Sequence, residues 1–309
     1  MKIAITGANG FLGSYLVKAC LQQNMEVHAL VRKNANTSLL PTNNNLYLHQ
    51  INYTENLADQ FSRLKNISGQ FQYLIHNAGL TVSLKNEEYY QVNAGITESI
   101  VDSALSTNLL EEDGKFVYIS SYAAHGPATI NEPVSHYGRS KLQAEQAIEN
   151  KIANYFFARP TGIYGSGDVA FLPLFKTAKK GLYPLTDADQ RISMIHAKDL
   201  SRMIVTDMQS SNGIMYYSDG HTYYHKDFKE IFSKIFQRKI RNFPLPKWLA
   251  KLSIGSSDIW HKLINKRPGV TLEKFTEISQ HWDLHNSELK HSSIKPEISL
   301  HEGFKDALH

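Results

Sequence analysis

Short apolar runs alternate with stretches of helical periodicity through the first two-thirds of the chain. The runs KIAIT (2–6), EVHALV (26–31), LYLHQI (46–51), QYLIH (72–76), KFVYIS (115–120) and NYFFAR (154–159) have the length and the β-branched or aromatic content of strands. Several are apolar almost throughout, as strands buried on both faces of a sheet must be. Apolar residues three and four apart predict helices near 11–23, 55–66, 87–107 and 137–150. This alternation predicts an α/β fold built on a doubly wound parallel sheet. After Gly165 the pattern loosens into GSGDVAFLPLFKTAKKGLYPL, whose glycines, prolines and aromatics fit a loop and helix lining a pocket. The helix AKDLSRMIVTDM and the strand IMYYS (214–218) return to the sheet. From His225 onward, short helical patterns and prolines predict a smaller, mostly helical lobe. The expected division is therefore 1–165 with 190–218 as one unit, and 166–189 with 219–309 as the other.

Glycines three apart, in TGANGFLG, sit between the first strand and the first helix. A helix N-terminus exposes unpaired N–H groups and the positive end of its dipole, and a turn without Cβ atoms lets a pyrophosphate approach them. The spacing is Gly-x-x-Gly-x-x-Gly rather than Gly-x-Gly-x-x-Gly, so the strand-to-helix context carries the reading. It makes the larger unit a Rossmann-type, NAD(P)-binding domain and the smaller lobe the substrate-binding one. The second strand ends in Val31, Arg32 and Lys33, with no carboxylate for an adenosine ribose. A cation there suits a 2′-phosphate, so NADP is the expected cofactor and NAD the alternative. Asn52, after the third strand, is either an adenine contact or a plain loop residue.

Two further segments carry chemistry. YISSYAAHG follows the fifth strand and puts Ser120 and Ser121 at the carboxyl edge of the sheet, where open α/β sheets bind ligands. SHYGRSKLQAE opens the next helix and presents Tyr137 and Lys141, four apart, on one helical face. A phenol is a poor acid–base group at neutral pH, but a neighbouring ammonium favours its ionised form. Tyr137 would then give or take a hydroxyl proton while Ser121 holds the same oxygen.

Taken together, these segments resemble an extended short-chain dehydrogenase/reductase of the NAD(P)-dependent epimerase/dehydratase and 3β-hydroxysteroid-dehydrogenase-like branch, along essentially the whole chain. The segments TGANGFLG, HNAG (76–79), YYQVNAGIT with Asn93, ISSYAAHG, YGRSK, ARPTGIYGSGD and MIHAKDL with His196 and Asp199 all match. The resemblance implies that Tyr137 is the acid–base, that Lys141 binds the nicotinamide ribose and lowers the tyrosine pKa, and that Ser121 orients the substrate oxygen. It implies cofactor contacts at Gly7, Gly10, Phe11, Leu12, Gly13, Arg32, Ala78, Gly79, Tyr137, Lys141, Pro160 and Ile163. Asn93 would support the active-site helix or a water chain, and His196 would hold the smaller lobe. The resemblance also implies a homodimer formed through the helices near 93–107 and 137–150.

Departures from the family pattern narrow the reaction. Ser121 is followed by Tyr122 and Ala123, so the Asp-Glu pair that dehydratases use for elimination is missing. Ile192 stands where nucleotide-sugar epimerases often carry an arginine for the diphosphate; Arg191 is one residue away. The expectation is an alcohol–ketone oxidoreductase. The alternatives are a nucleotide-sugar epimerase or dehydratase and, as a minor one, a non-catalytic NADP-sensing protein.

Composition adds bounds. The net charge of +4 comes without a clustered basic stripe, so nucleic acid is not an expected partner; a small carbonyl or alcohol substrate is. One cysteine, Cys20, rules out an internal disulfide framework and reads as a buried thiol. No His/Asp/Glu group has metal-ligand spacing. No leader pattern precedes the first strand and no apolar run is long enough to span a bilayer, so a cytoplasmic enzyme is expected. The segment 244–268, rich in Trp, Leu and Lys, reads either as a helix packed on the core or as a surface for a membrane or an apolar substrate.

Overall fold

The computed structural model describes residues 1–264, 270–284 and 289–308. Seven parallel strands form its centre: β1 (Lys2–Thr6), β2 (Glu26–Val31), β3 (Leu46–Gln50), β4 (Phe71–His76), β5 (Leu110–Ile119), β6 (Tyr155–Pro160) and, after three short strands named below, β10 (Gly213–Tyr217). Their spatial order is β10-β6-β5-β4-β1-β2-β3. The order reverses between β1 and β4, so the carboxyl ends of those two strands open a crevice, the usual ligand position of such a sheet.

Period-two alternation explains why the strands are apolar throughout. Ile3 and Ile5 face one buried layer, with Val117, Ile119 and Phe156, under α1 (Phe11–Gln22) and a later helix, α7 (Ala197–Ser210). Ala4, Leu74, Phe116, Tyr118 and Phe157 face the other layer. It is covered by α2 (Leu57–Ser68), α4 (Ile96–Ser106) and α5 (His136–Glu149). Cys20 is fully buried in the first layer, which pushes its thiol up to about 12.

Two elements differ from the sequence reading. The helix expected over 87–107 is divided into α3 (Asn86–Tyr89), a π-helical turn at Tyr90–Gly95 and α4. The widened turn contains Asn93, whose side chain is drawn off to the backbone of Leu80. Strand β5 begins at Leu110 rather than 115, because Leu110 already pairs with Phe71 before a register shift.

Beyond the sheet, β7 (Gly162–Tyr164) pairs with β9 (Met194–His196), and β8 (Leu182–Leu185) with β11 (Arg241–Pro244). A third core is aromatic: Phe175 of α6 (Leu172–Lys179), Phe228 and Phe232 of α8 (His225–Ile235), and Phe304 of the terminal α11 (Leu300–Asp306) pack with Tyr164 and Tyr183. Asp199 accepts hydrogen bonds from the backbone N–H groups of Glu297 (2.9 Å) and Ile298 (2.8 Å), and His196 lies 3.6 Å from Asp306. Both residues thus tie the terminal segment back to the sheet. Between β11 and α11 lie α9 (Lys247–Leu263) and α10 (Leu272–Ile278).

Candidate active site

The glycine turn is built for close approach. Gly7 has φ +63°, and a Cβ on it would stand 2.8 Å from the Ala78 backbone. A Cβ on Gly13 would stand 2.1 Å from the Gly7 carbonyl oxygen, so α1 packs against the turn only because position 13 has none. Gly10 differs. It is exposed, its Cβ would come only within 3.3 Å of the Gly7 oxygen, and as N-cap of α1 it gives no side-chain hydrogen bond to the helix. The first turn of α1, with Phe11, Leu12 and Gly13, therefore offers N–H groups over an open glycine surface. That cradle fits a dinucleotide pyrophosphate.

A buried polar chain ties the cradle to the rest of the crevice. The Thr6 hydroxyl accepts from the N–H groups of Asn77 and Ala78 (3.2 Å each), so its own proton goes to His76 Nδ1 at 2.7 Å. His76 Nε2 must then donate to Thr97 Oγ1 (2.8 Å), which donates to the Asn93 carbonyl (2.6 Å). Burial, with the Lys141 charge nearby, holds the His76 imidazole down to about 3, in keeping with this neutral tautomer. Asn93 accepts from Leu80 N–H (2.7 Å) and donates to the Leu80 carbonyl (3.0 Å) and to Ser140 Oγ (2.9 Å). Ser140 in turn donates to the Tyr137 carbonyl at 2.7 Å. Sequence reading singled out Asn93 but gave no role of their own to Thr6, His76, Thr97 and Ser140, which sit in the quoted motifs and whose roles come from strand register and helix packing.

Helix α5 delivers Tyr137 beside Ser121. Ser135 caps it by accepting from Gly138 N–H (2.9 Å), and Glu273 of α10 accepts from His136 N–H (2.7 Å). A Cβ on Gly138 would fall 2.3 Å from the Ala123 carbonyl oxygen, so the glycine of YGRSK lets α5 lie directly on the turn that carries Ser121. Ser121 itself accepts from Ala123 N–H (3.1 Å). The Tyr137 ring is 8% exposed, among Tyr89, Ala123, Leu80 and Trp282. Lys141 is buried one turn further along; its Nζ donates to the Ile119 carbonyl (2.9 Å) and lies 4.7 Å from the centre of the Tyr118 ring. Burial lowers its pKa to about 8, against the pull of Glu145, which is itself held by Arg159.

A second amine lies against the Tyr137 ring. Lys274 of α10 holds its Nζ 4.7 Å from the centre of the Tyr137 ring and pairs with Glu277. Burial raises the phenol above its ordinary value; Lys274 and a hydrogen bond with Ser121 pull it back, and Glu277 pushes it up. Burial works against the Lys274 charge, but Glu277, Tyr137 and Glu273 outweigh it and keep the ammonium above its ordinary range. A cation from the far end of the chain thus also bears on the phenol, beside the role expected of Lys141. No local signal in the sequence marks residue 274, since nothing in its neighbourhood tells which helix covers the crevice.

The remaining predicted residues are distributed around the same crevice. Ala78 and Gly79 follow β4, and a Cβ on Gly79 would meet Asn93 Oδ1 at 3.2 Å and Lys141 Nζ at 3.3 Å. Pro160 ends β6, and Ile163 of β7 packs on the first core layer. Arg32 and Lys33 are exposed at the end of β2, with the Arg32 charge acting on the buried phenol of Tyr53. Asn52 spends its side chain on a local turn, accepting from Thr54 N–H (3.1 Å) and Thr54 Oγ1 (2.8 Å), which supports the plain-loop reading. His125 stacks on Tyr122 with ring centres 5.4 Å apart. A polar depression of about 680 Å³ at the opposite edge of the sheet is lined by Tyr73, Lys115, Asn154 and Gln209. It has no comparable chemistry, since Lys115 is spent on the Met208 and Ser211 carbonyls.

Comparison with known proteins identifies the family and the fold. The model of the NAD dependent epimerase/dehydratase family matches residues 3–216. The chain is 29% identical over 204 residues to a ceramide reductase of Caulobacter vibrioides, covering 66% of this chain and 59% of that protein. It is 24% identical over 306 residues to a 3 beta-hydroxysteroid dehydrogenase/Delta 5-->4-isomerase of Vaccinia virus, covering 85% and 84%. Among solved structures, UDP-glucuronic acid 4-epimerase from Bacillus cereus in complex with NAD superposes with a TM-score of 0.74 at 20% identity, covering 99% of this chain and 97% of that one.

Proposed function

Because the chain belongs to the NAD-dependent epimerase/dehydratase family, we propose that it is an NAD(P)-dependent oxidoreductase interconverting a secondary alcohol and a ketone through Ser121, Tyr137 and Lys141, with NADP(H) preferred. The observation that carries the reading is the Tyr137 phenol, buried beside Ser121 in the crevice that the glycine cradle opens. Gly7, Gly10, Phe11, Leu12 and Gly13 would hold the pyrophosphate, Arg32 the 2′-phosphate, and Ala78, Gly79, Pro160 and Ile163 the remaining cofactor edge. Bound there, the nicotinamide would supply or accept the hydride.

The chain's own groups manage the proton. In the reducing direction the Tyr137 phenol gives its proton to the oxygen that becomes the alcohol, and in the oxidising direction the phenolate takes it back. Ser121 Oγ donates a second hydrogen bond to that oxygen as its charge grows. Lys141 would hold the nicotinamide ribose, while Lys274 stabilises the phenolate. Burial under Leu80, Trp282 and Tyr89 keeps water away, so each charge counts for more than it would in solution.

This apolar surround suits a bulky apolar carbonyl compound, the class to which ceramide and steroid relatives' names point. A nucleotide sugar fits less well: Ile192 is paired with Tyr223 and Trp282, and the Arg191 guanidinium is 3.1 Å from Asp283, already neutralised. Residues 166–189 and 219–309 are proposed as the substrate lobe and a homodimer as the working form. The test is NADPH oxidation against steroid, long-chain keto-lipid and sugar carbonyls. Ketone-dependent oxidation of NADPH is the expected result; isomerisation of a nucleoside-diphosphate sugar with no net oxidation overturns it.

A further inference from the structure

Helix α9 is inverted relative to an ordinary surface helix. Such a helix turns its apolar stripe to the core and its polar face to water. Here Trp248 (64%), Leu252 (61%), Ile259 (64%) and Trp260 (60%) are largely exposed, with Leu249 beside them. The inward side carries little apolar bulk: Ala250 is buried, Ile254 is half-buried, and Asp258 accepts from Leu272 N–H at 2.8 Å, fastening α9 to α10. At 3.6 residues per turn the five exposed residues fall within an arc of roughly 120°. Lys251, also exposed, lies on its edge. Phe243, on the strand leading into the helix, is exposed as well. Contiguous apolar surface of this kind marks a contact site.

Charge selects the partner. From Arg238 to Ile264 the sequence carries six cations (Arg238, Lys239, Arg241, Lys247, Lys251 and Lys262) against one acid, Asp258. That excess is larger than the net +4 of the whole chain, so the rest of the molecule is slightly acidic. Lys247 is paired with Asp187 at 2.8 Å, so the cations Lys239, Arg241 and Lys251 are the ones offered to a partner, and the segment is locally basic where the sequence reading found no basic stripe. Lysines flanking an arc of Trp, Leu and Ile are the signature of a helix lying in the headgroup region of an anionic membrane. Among the described residues, no helix is long and apolar enough to cross a bilayer, so α9 lies on the surface and does not span it.

We propose that α9 docks the protein peripherally on an anionic lipid bilayer, its exposed arc in the headgroup–acyl boundary and its basic residues on lipid phosphates. The proposal is independent of the reaction performed. The test is co-sedimentation of the full chain with vesicles of phosphatidylcholine, with and without phosphatidylglycerol. Two of the three tryptophans lie on the arc, so brominated lipids should quench emission, and it should shift to the blue. Partition onto the phosphatidylglycerol vesicles is expected to be about tenfold stronger or more, and to weaken with salt. Leu252→Glu with Ile259→Glu should abolish it at unchanged circular dichroism; Lys251→Glu alone should weaken it about fivefold or more. Equal partition onto neutral vesicles overturns the proposal, as does the absence of quenching. A dimer in light scattering that the double variant dissolves, without vesicle binding, also overturns it by assigning the face to a second copy.

Discussion

The crevice is assembled from two regions that obey different rules. Its floor comes from residues 6–13, 76–80, 93–97, 119–124 and 135–141, where strand ends and helix starts are fixed by the sheet. Its cover comes from residues 271–284, where Glu273 caps α5, Lys274 lies against Tyr137 and Trp282 packs on Tyr122 and Tyr137. The floor supplies groups that any member of the family needs to hold a dinucleotide and move a proton. The cover adds burial, one cation and one carboxylate to the surroundings of the phenol. On the proposed function, the chemistry resides in the sheet-bound half and part of its tuning in the C-terminal half.

Removing the floor's central group tests the division most severely. Tyr137→Phe is expected to lower turnover about 10³-fold, in the middle of the range for one acid–base group. NADPH affinity, measured by fluorescence titration, should change little. Near-normal turnover would move the proton chemistry off Tyr137 and dissolve the distinction between floor and cover. Lys141→Met should cut turnover about 10²-fold at neutral pH, since ribose and carbonyl contacts are both lost. The same variant has a stability signature. A lysine whose folded-state value is lowered to about 8 weakens the fold fully below pH 8, and the penalty fades as pH rises toward the ordinary lysine value. Urea unfolding should thus find Lys141→Met closer to, or above, the parent at pH 7. The parent should gain on it by roughly 2–3 kcal/mol between pH 8 and the ordinary value.

How far the sequence reaches follows the same line. The sheet, its order of strands and helices, and the meeting of TGANGFLG, HNAG, ISSYAAHG and YGRSK in one crevice were legible. Each motif sits at a strand end, and parallel topology brings strand ends together. Gly138 was read only as part of a motif, whereas its reason is the 2.3 Å approach to the Ala123 oxygen. The Thr6–His76–Thr97 chain was not legible, because a threonine and a histidine inside apolar strands look like ordinary core polar residues until register pairs Thr6 with His76. Lys274 was beyond reach, and the facing of α9 was left between two readings, for a different reason. Helical periodicity tells which residues share a face, but not what that face meets.

At the floor's other end, Arg32→Ala separates cofactor choice from catalysis. A charge-assisted hydrogen bond to a phosphate contributes about 1.5–3 kcal/mol, so NADPH binding should weaken roughly 10- to 100-fold while NADH binding changes by less than about threefold. The ratio of KM values for the two coenzymes reads it directly. Equal losses for both would assign Arg32 to general folding or charge. The 2′-phosphate would then have to be held by another group, Lys33 being the nearest in sequence.

The cover predicts the smallest effect and the most specific one. The groups acting on the Tyr137 phenol are Lys274 and Glu277 of α10 by charge and Ser121 of the turn after β5 by a hydrogen bond. Lys274 is the cation among them. Replacing it by Met removes the attraction that holds the phenolate down and leaves burial and Glu277, both of which raise the phenol. In the direction that needs the phenolate, the rising limb of the pH–rate profile should therefore move to higher pH by about one unit. At pH 7 that is close to a tenfold loss in turnover with little change in KM for the coenzyme, and it should vanish above the shifted limb. Lys274→Arg should restore most of the profile; Glu277→Gln should move the limb the other way, because it removes the opposing charge. A merely structural role for Lys274 would lower activity by the same factor at every pH. Such a flat loss would return the tuning of the phenol to Lys141 and leave α10 as a lid alone.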